Sequence, residues 1–526
     1  MTAGFNRLAL QALLLTEVRL RMRRTGTLVA VLALIALTWL MVEDPSTGRA
    51  LMVIGGARVA YTSSCLAMGS AGLAGLFFGL AGFYLVRGRM SEDVRSGAGS
   101  VLASTPVSNA VLLLGRWLGG VAYLGGLVLV FMATMLVLHA VRGEGPIQPL
   151  VYLQTYVLVL LPLVCFTAAV ALLCDAWRPL MGKGGDVLYF VFYMTQMSVP
   201  VAVMGARGEA WSPLLLLDFS GLGATVLSFM SVVHVSDFVL GGGDFDPKMA
   251  PMVLPDLLWS AKMGLTRLAC GLVAMLPILP AIALFHRFAP DRVKVRAGGG
   301  WSPLVLVNGW LRPLGRLARP LFGLAARLPG LPGYALASVA LTLAANPAAM
   351  LASLILLVLG CVLHGAALGG VMTGAILVWG ILVSEISVRD RQNDVDAMTA
   401  AVPGGVARRF LAQWLATCML ALLFAAPVLV RWLLHEPVRA AALVAGVLAL
   451  SSAASLLGSA SRTARAFLAL FLFCIYVSTQ VPAAPLLDVV GFNGVANIQT
   501  VLQQLLIAAF LFAAGFYGER ARRARN

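Results

Sequence analysis

Runs of about twenty residues with scarcely a charge recur from one end of this chain to the other. A helix needs about 20 mostly apolar residues to cross a bilayer, and twelve segments approach that length: 27–42, 68–86, 117–141, 151–173, 186–204, 264–286, 348–364, 369–388, 414–434, 437–460, 464–480 and 498–517. Only 11% of the residues are charged, against roughly 25% in a soluble domain. The expected fold class is therefore an all-α, polytopic integral membrane protein of about twelve transmembrane helices.

The cations fix an orientation. With the N-terminus inside and twelve crossings, the cytoplasmic segments hold 29 of the 38 Lys and Arg residues, as the positive-inside rule requires. The net charge of +16 then reads as membrane topology, and a nucleic-acid partner is not needed to explain it. Arg19, Arg21, Arg23 and Arg24 precede the first span without a small-residue cleavage site, so that span is read as retained. Both termini are expected in the cytoplasm. The seven cysteines are scattered singly, which supports neither a disulfide framework nor a zinc site.

The chain also repeats itself. In "LASTPVSNAVLLLGRW" (Leu102 to Trp117) and "TAAVPGGVARRFLAQW" (Thr399 to Trp414), Pro106 and Trp117 match Pro403 and Trp414 at an offset of 297. Ala103/Ala400, Ala110/Ala407 and Leu114/Leu411 match at the same offset. Farther on, "PLLLLDFSGLG" resembles "PLLDVVGFNG", which sets Asp218 against Asp488. Two six-span halves in parallel orientation are expected, the first at 1–287 and the second at 334–526. The linker between them, 288–333, interleaves Leu and Trp with Arg312, Arg316 and Arg319. It is either an amphipathic stretch on the anionic inner leaflet or a disordered tether.

A basic amphipathic start, a long connection after span 2 with a charged cluster and Thr-Pro-Val-Ser (Glu92 to Trp117), and an apolar, re-entrant-looking segment between spans 5 and 6 together resemble the type-2 permeases of ABC exporters. The resemblance covers nearly the whole chain, once per half. It implies elbow helices at 1–24 and 334–346, coupling regions at 87–116 and 389–413, and external segments at 205–258 and 481–497. It further implies that Leu102 to Arg116 and Thr399 to Gln413 dock on two copies of a separate ABC ATP-binding subunit. The residues implied to couple to that ATPase are Glu92, Asp93, Arg95, Thr105, Pro106 and Arg116, and in the second copy Asp390, Arg391, Pro403, Arg408 and Arg409. Pro106, just after the cap candidate Thr105, would start the short coupling helix. The second copy departs from the first: Asp394 stands opposite Gly97 and Val402 opposite Thr105. The family's "GTLE" step is here "GAGS" at Gly97 to Ser100.

Chemistry within the chain is sparse. "MGKGGD" at Met181 to Asp186 has neither the spacing nor the hydroxyl of a phosphate loop; no cofactor is expected in this chain, and ATP and magnesium belong to the partner subunits. The chain itself is not expected to be an enzyme. His234, Asp237 and "GGGDFD" read as a solvated surface rather than a metal site. In span 5, Asp186, Tyr189, Tyr193 and Gln196 fall on one helical stripe, read either as a substrate path or as a packing seam. Ala71, Gly75 and Gly79 in span 2, and Gly370 and Gly374 in span 8, permit close helix approach, within one half or between halves. The resemblance implies a subunit of the bacterial inner (plasma) membrane exporting a small molecule, lipid or peptide. The alternatives are an ion-coupled secondary transporter of the major-facilitator kind and ATP-driven mechanotransmission without transport.

Overall fold

The structure, a computed structural model, describes residues 3–199, 212–233, 238–256, 259–288, 308–365, 367–392, 395, 398, 404–461, 463–480 and 485–524. The chain forms two compact units, Met1–Ala297 and Gly298–Asn526.

The first unit runs α1 (Ala3–Met22), α2 (Thr25–Met41), β1 (Arg49–Ile54), β2 (Ala57–Arg58), α3 (Ser63–Val86), α4 (Arg89–Arg95), α5 (Ala98–Ser104), α6 (Asn109–Arg142), α7 (Pro149–Ala176), α8 (Lys183–Gln196), α9 (Leu222–Val233), β3 (Phe238–Asp244), α10 (Ala261–Ala274) and α11 (Ile278–Leu284). The second runs α12 (Arg319–Arg327), α13 (Leu331–Ala345), α14 (Pro347–Val362), α15 (Ala367–Val383), α16 (Arg389–Gln392), α17 (Gly405–His435), α18 (Pro437–Ser461), α19 (Ala464–Gln480) and α20 (Ile498–Ala524).

Each of the twelve apolar segments overlaps a helix, with 264–286 divided between α10 and α11, but fewer qualify as crossings. Among the described residues eight helices are long and apolar enough to span a membrane, or up to ten if each of two bent pairs is one span. The bent pairs are α1 with α2, at 72°, and α13 with α14, at 102°. Both bends fall where the sequence places an elbow. Polar caps start several of the long helices: Thr62 Oγ1 accepts from Cys65 N, Ser108 Oγ from Val111 N and Ser260 Oγ from Met263 N.

Burial divides the helices by role. In the first unit α7 packs against α3, α6 and α10 and is the centre of the core. The outer helices keep apolar faces uncovered, with Leu129, Val137 and Val141 on α6 and Leu265, Leu268 and Leu272 on α10 all exposed. An exposed aliphatic face on so hydrophobic a helix is what lipid solvates, so the chain is read as a multi-pass membrane protein.

Two elements depart from expectation. The loop after α2 and the segment before α10 pair as a three-stranded antiparallel sheet in the order β2-β1-β3, where the sequence suggested only an apolar, re-entrant-looking external segment. Val239 and Val53 are partners in this sheet, and residues so far apart in sequence leave no local trace of their pairing. Tyr61 staples it: its hydroxyl donates to Glu43 O at 2.8 Å and accepts from Leu51 N at 3.1 Å, and burial pushes the phenol up to about 12. The second departure lies in the linker, where α12 packs against α13 within the second unit.

Candidate functional site

A cluster of paired charges in the first unit lies where α1, α4 and α6 meet. Glu17 is the lone acid of α1 and is 3% exposed. It lies 3.4 Å from Arg21 and 3.0 Å from Arg89. Arg89 also reaches Glu92 at 3.0 Å and Asp93 at 2.9 Å. Arg24 pairs with Glu92. Asp93, 1% exposed, is paired with Arg116, itself buried on α6. Buried charges are tolerated only when paired and hydrogen-bonded, and here every described member of the cluster has an opposite partner. The bonds run between elements, so α1, α4 and α6 are fastened together by charge.

α4 is held from a second side. The Asp175 carboxylate, at the end of α7, accepts from Gly88 N at 2.8 Å and Arg89 N at 3.0 Å, satisfying two of the amides that a helix start leaves open. Arg87, just before it, pairs with Asp186 and donates to Gly182 O at 3.1 Å. Gly97 turns the chain from α4 into α5 at φ +76°, a conformation glycine adopts without strain.

The Thr-Pro step is built differently from the sequence reading. Thr105 does not cap a helix begun by Pro106; it closes α5, its Oγ1 donating to Leu102 O at 2.7 Å. Ser108 is the N-cap of the next helix, α6, which runs 34 residues and contains Arg116. The reason is that Thr-Pro-Val-Ser offers two hydroxyls, and only the second follows the proline ring. Pro106 therefore lies in the break between a seven-residue helix and a long one. Arg287 clamps that break, donating to Ala103 O at 3.0 Å, to Thr105 O and to Asn109 Oδ1 at 3.4 Å. Arg287 and Phe288 hold φ of 49° and 62°, uncommon for residues with a side chain and sustained only where the surroundings fix them. The Phe288 ring lies 5.2 Å below the Arg116 guanidinium. Beyond the clamp, Val101 is 65% exposed, and Ser100, Ser104 and Pro106 are exposed around it.

The second unit repeats this construction in part. Gln413 Nε2 donates to Asp390 Oδ2 at 3.4 Å, and both residues stand 297 positions after Arg116 and Asp93. Arg409 pairs with Glu519 of α20 at 2.9 Å, and Arg408 is exposed. Pro403, together with 399–402, lies outside the described residues, as do the Arg391 and Arg95 side chains. His234 and Asp237 lie outside them too.

Further correspondences extend to the bonds these residues make. Trp117 Nε1 donates to Cys165 O on α7 at 3.1 Å, and Trp414 Nε1 to Ser452 Oγ on α18 at 3.1 Å. Arg142 at the end of α6 donates to Val42 O after α2, and Arg431 near the end of α17 to Leu363 O after α14. Asp218 and Asp488 each close a turn on a glycine three residues later, at φ +74° and +73°. Asp218 accepts from Gly221 N and Ala224 N, Asp488 from Asn493 N and Val495 N.

Asp186, Tyr189 and Tyr193 are buried and turned onto α3. The two hydroxyls donate to Gly79 O and Gly75 O, so these glycines serve close approach within one unit. Gln196 is part-buried, and its Oε1 has no hydrogen-bond partner among the described residues. Sequence reading missed Glu17, Arg89, Asp175 and Arg287. Glu17 alone carried a signal, as the one carboxylate in an otherwise basic helix. Among the described residues no group of three or more His, Cys, Asp or Glu is placed to hold a metal ion. No protein-family model, no curated protein and no solved structure matches the chain.

Proposed function

We propose that the chain is the membrane-spanning permease of an ATP-driven ABC exporter, two six-helix halves fused in parallel, with ATP hydrolysed on two copies of a separate ATP-binding subunit. The observation that carries this reading is the pair of contacts Asp93–Arg116 and Asp390–Gln413, 297 residues apart. In both units a residue near the start of the third long helix is bonded to an aspartate of the connection after the second. The bent α1–α2 and α13–α14 pairs suit elbows in the membrane surface.

The mechanism follows from stiffness. A subunit that closes on ATP must push on something that neither yields nor slides. In the first unit α5 is the exposed contact, Arg287 clamps it to α6, and the Glu17–Arg89–Asp93–Arg116 cluster joins α6 to the elbow. Displacement of α5 is then delivered to α1, α4 and α6 as one body. In this orientation the charged cluster is cytoplasmic, the sheet β2-β1-β3 lies outside, and the membrane is the bacterial inner membrane. The apolar outer faces allow an amphipathic cargo to approach from the bilayer. An ion-coupled carrier has less support, because Asp186 is paired with Arg87 and Asp218 is held by Arg267 and backbone amides.

The test is co-purification from membranes with the full-length chain. Val101→Asp should cut the co-purifying ATPase activity at least tenfold while leaving the amount and melting of the membrane protein unchanged. Retention of that activity with Val101→Asp and with Pro106→Ala together would remove α5 as the docking element.

A further inference from the structure

The second unit contains a small polar pocket where α16, α17, α18 and α20 converge. It has room for one water-sized sphere, about 10 Å³. Oxygen-bearing side chains line it, those of Asp390, Gln413, Ser387, Ser455, Ser459 and Glu519, together with Arg409 and Phe410. Ser455 is 1% exposed, and its Oγ has no hydrogen-bond partner among the described residues. Ser387 Oγ donates to Ala454 O at 3.1 Å, which leaves its lone pairs available. Glu519, 4% exposed, is matched by Arg409 at 2.9 Å.

Charge selects the occupant. The described residues lining the pocket bring two carboxylates and one guanidinium, and Arg409 accounts for Glu519. Among the described residues the hydrogen bond that the Asp390 carboxylate accepts comes from the neutral Gln413 amide, at 3.4 Å; the neighbouring Arg389 interacts with it through its charge and donates to Thr342 Oγ1 at 2.8 Å. At the equivalent place in the first unit, Asp93 has both Arg116 and Arg89. The second unit thus keeps the aspartate with an amide, Gln413, where the first unit has the hydrogen-bonded guanidinium of Arg116. A half-buried carboxylate beside an unpartnered hydroxyl favours a cation over a neutral water, and a hard monovalent cation takes oxygen ligands of this kind.

We propose that a sodium-sized monovalent cation binds between Asp390, Glu519, Ser455, Ser387 and Gln413, replacing the positive charge that Arg116 supplies in the first unit. It locks α16, α17, α18 and α20 together.

The full-length protein in detergent would be melted in sodium chloride, potassium chloride and choline chloride at one ionic strength. Sodium should raise the melting midpoint saturably over choline, because binding to the folded state alone stabilises it. Gln413→Arg should melt in choline as wild type does in sodium, and should lose the response to sodium. Ser455→Ala, a small change that leaves the charges intact, should shift the half-maximal sodium concentration upward about fivefold to tenfold. Equal wild-type midpoints in sodium and choline would mean that water alone occupies the pocket and would overturn the proposal. So would a full sodium response in Gln413→Arg, which would place the cation elsewhere, or an equal response to potassium, which would remove the size selection.

Discussion

The two units solve one problem with different chemistry. Where the third long helix meets the connection after the second, the first unit uses a buried ion pair, Asp93 with Arg116, and the second an amide on an aspartate, Gln413 on Asp390. The same substitution of charge by amide occurs seven residues into the last long helix. Arg267, counted from the cap Ser260, donates to Leu158 O at 2.8 Å and Val159 O at 3.3 Å and stands 3.9 Å from Asp218. Gln504, counted from the cap Asn497, donates to Asp488 O at 3.4 Å. The geometry is kept while the charge is dropped, so the first unit is the more tightly committed of the two. Breaking a buried pair by removing one partner strands the other charge, whereas losing a neutral amide costs one hydrogen bond.

That difference sets an order of effects. Arg267→Leu should be the most damaging change, about 3–5 kcal/mol, since it strips the cation from Asp218 and the donors from two α7 carbonyls. Gln504→Leu should cost only about 1 kcal/mol. Denaturant midpoints of the two variants in one detergent would settle the ratio, and equal losses would erase the contrast between the units. Arg116→Leu should come next, about 2–3 kcal/mol, because Arg89 still partners Asp93; Gln413→Leu should again lie near 1 kcal/mol. A thermal melt showing Gln413→Leu to be the worse of the pair would reverse the asymmetry.

A smaller effect should be shared equally. Gly79 on α3 faces the ring of Tyr193, and Gly380 on α15 the ring of Phe471. A methyl at either position would fall within the ring, so Gly79→Ala and Gly380→Ala should each cost about 1–3 kcal/mol as overpacking. Unequal losses would mean that only one unit depends on a tight seam between its second and fifth helices. The smallest effect belongs to the indoles: Trp117→Phe and Trp414→Phe each lose one hydrogen bond and should each cost about 1 kcal/mol. Expression-normalised melting would reveal any departure from parity.

Legibility in the sequence followed the range of the interaction. Apolar length located the long helices, because crossing or lining a bilayer is a demand on contiguous residues, but it did not separate α10 from α11 or place the short helices α4, α5, α9 and α12. The offset of 297, found from Pro106, Trp117 and three small or apolar residues, also carries Asp93 onto Asp390 and Arg116 onto Gln413, contacts that were no part of finding it. The charged stretch around Glu92 and the Thr-Pro break after it were singled out, yet Glu17, which pairs with the first, lies 75 residues before Glu92, and Arg287, which clamps the second, lies 195 after it, and nothing local announces them. Thr105 was read as a cap because a hydroxyl before proline often is one. Ser108, two residues past that proline, holds the place instead, since capping depends on where the backbone turns.

The stripe in α8 shows the same limit. Period alone set Asp186, Tyr189 and Tyr193 on one face, and no pattern could say that the face meets α3 rather than a channel. What the sequence determined by itself was a multi-pass, apolar helical chain, fixed by composition and spacing along the chain, together with the offset of 297 on which the proposed doubling rests. The tertiary structure alone decided which charges meet, that the loop after α2 pairs with a strand nearly two hundred residues later, and that an amide bonds the aspartate of the second unit where a guanidinium bonds that of the first. Those outcomes rest on side chains brought within a few ångströms by folding, and a linear pattern does not record that distance.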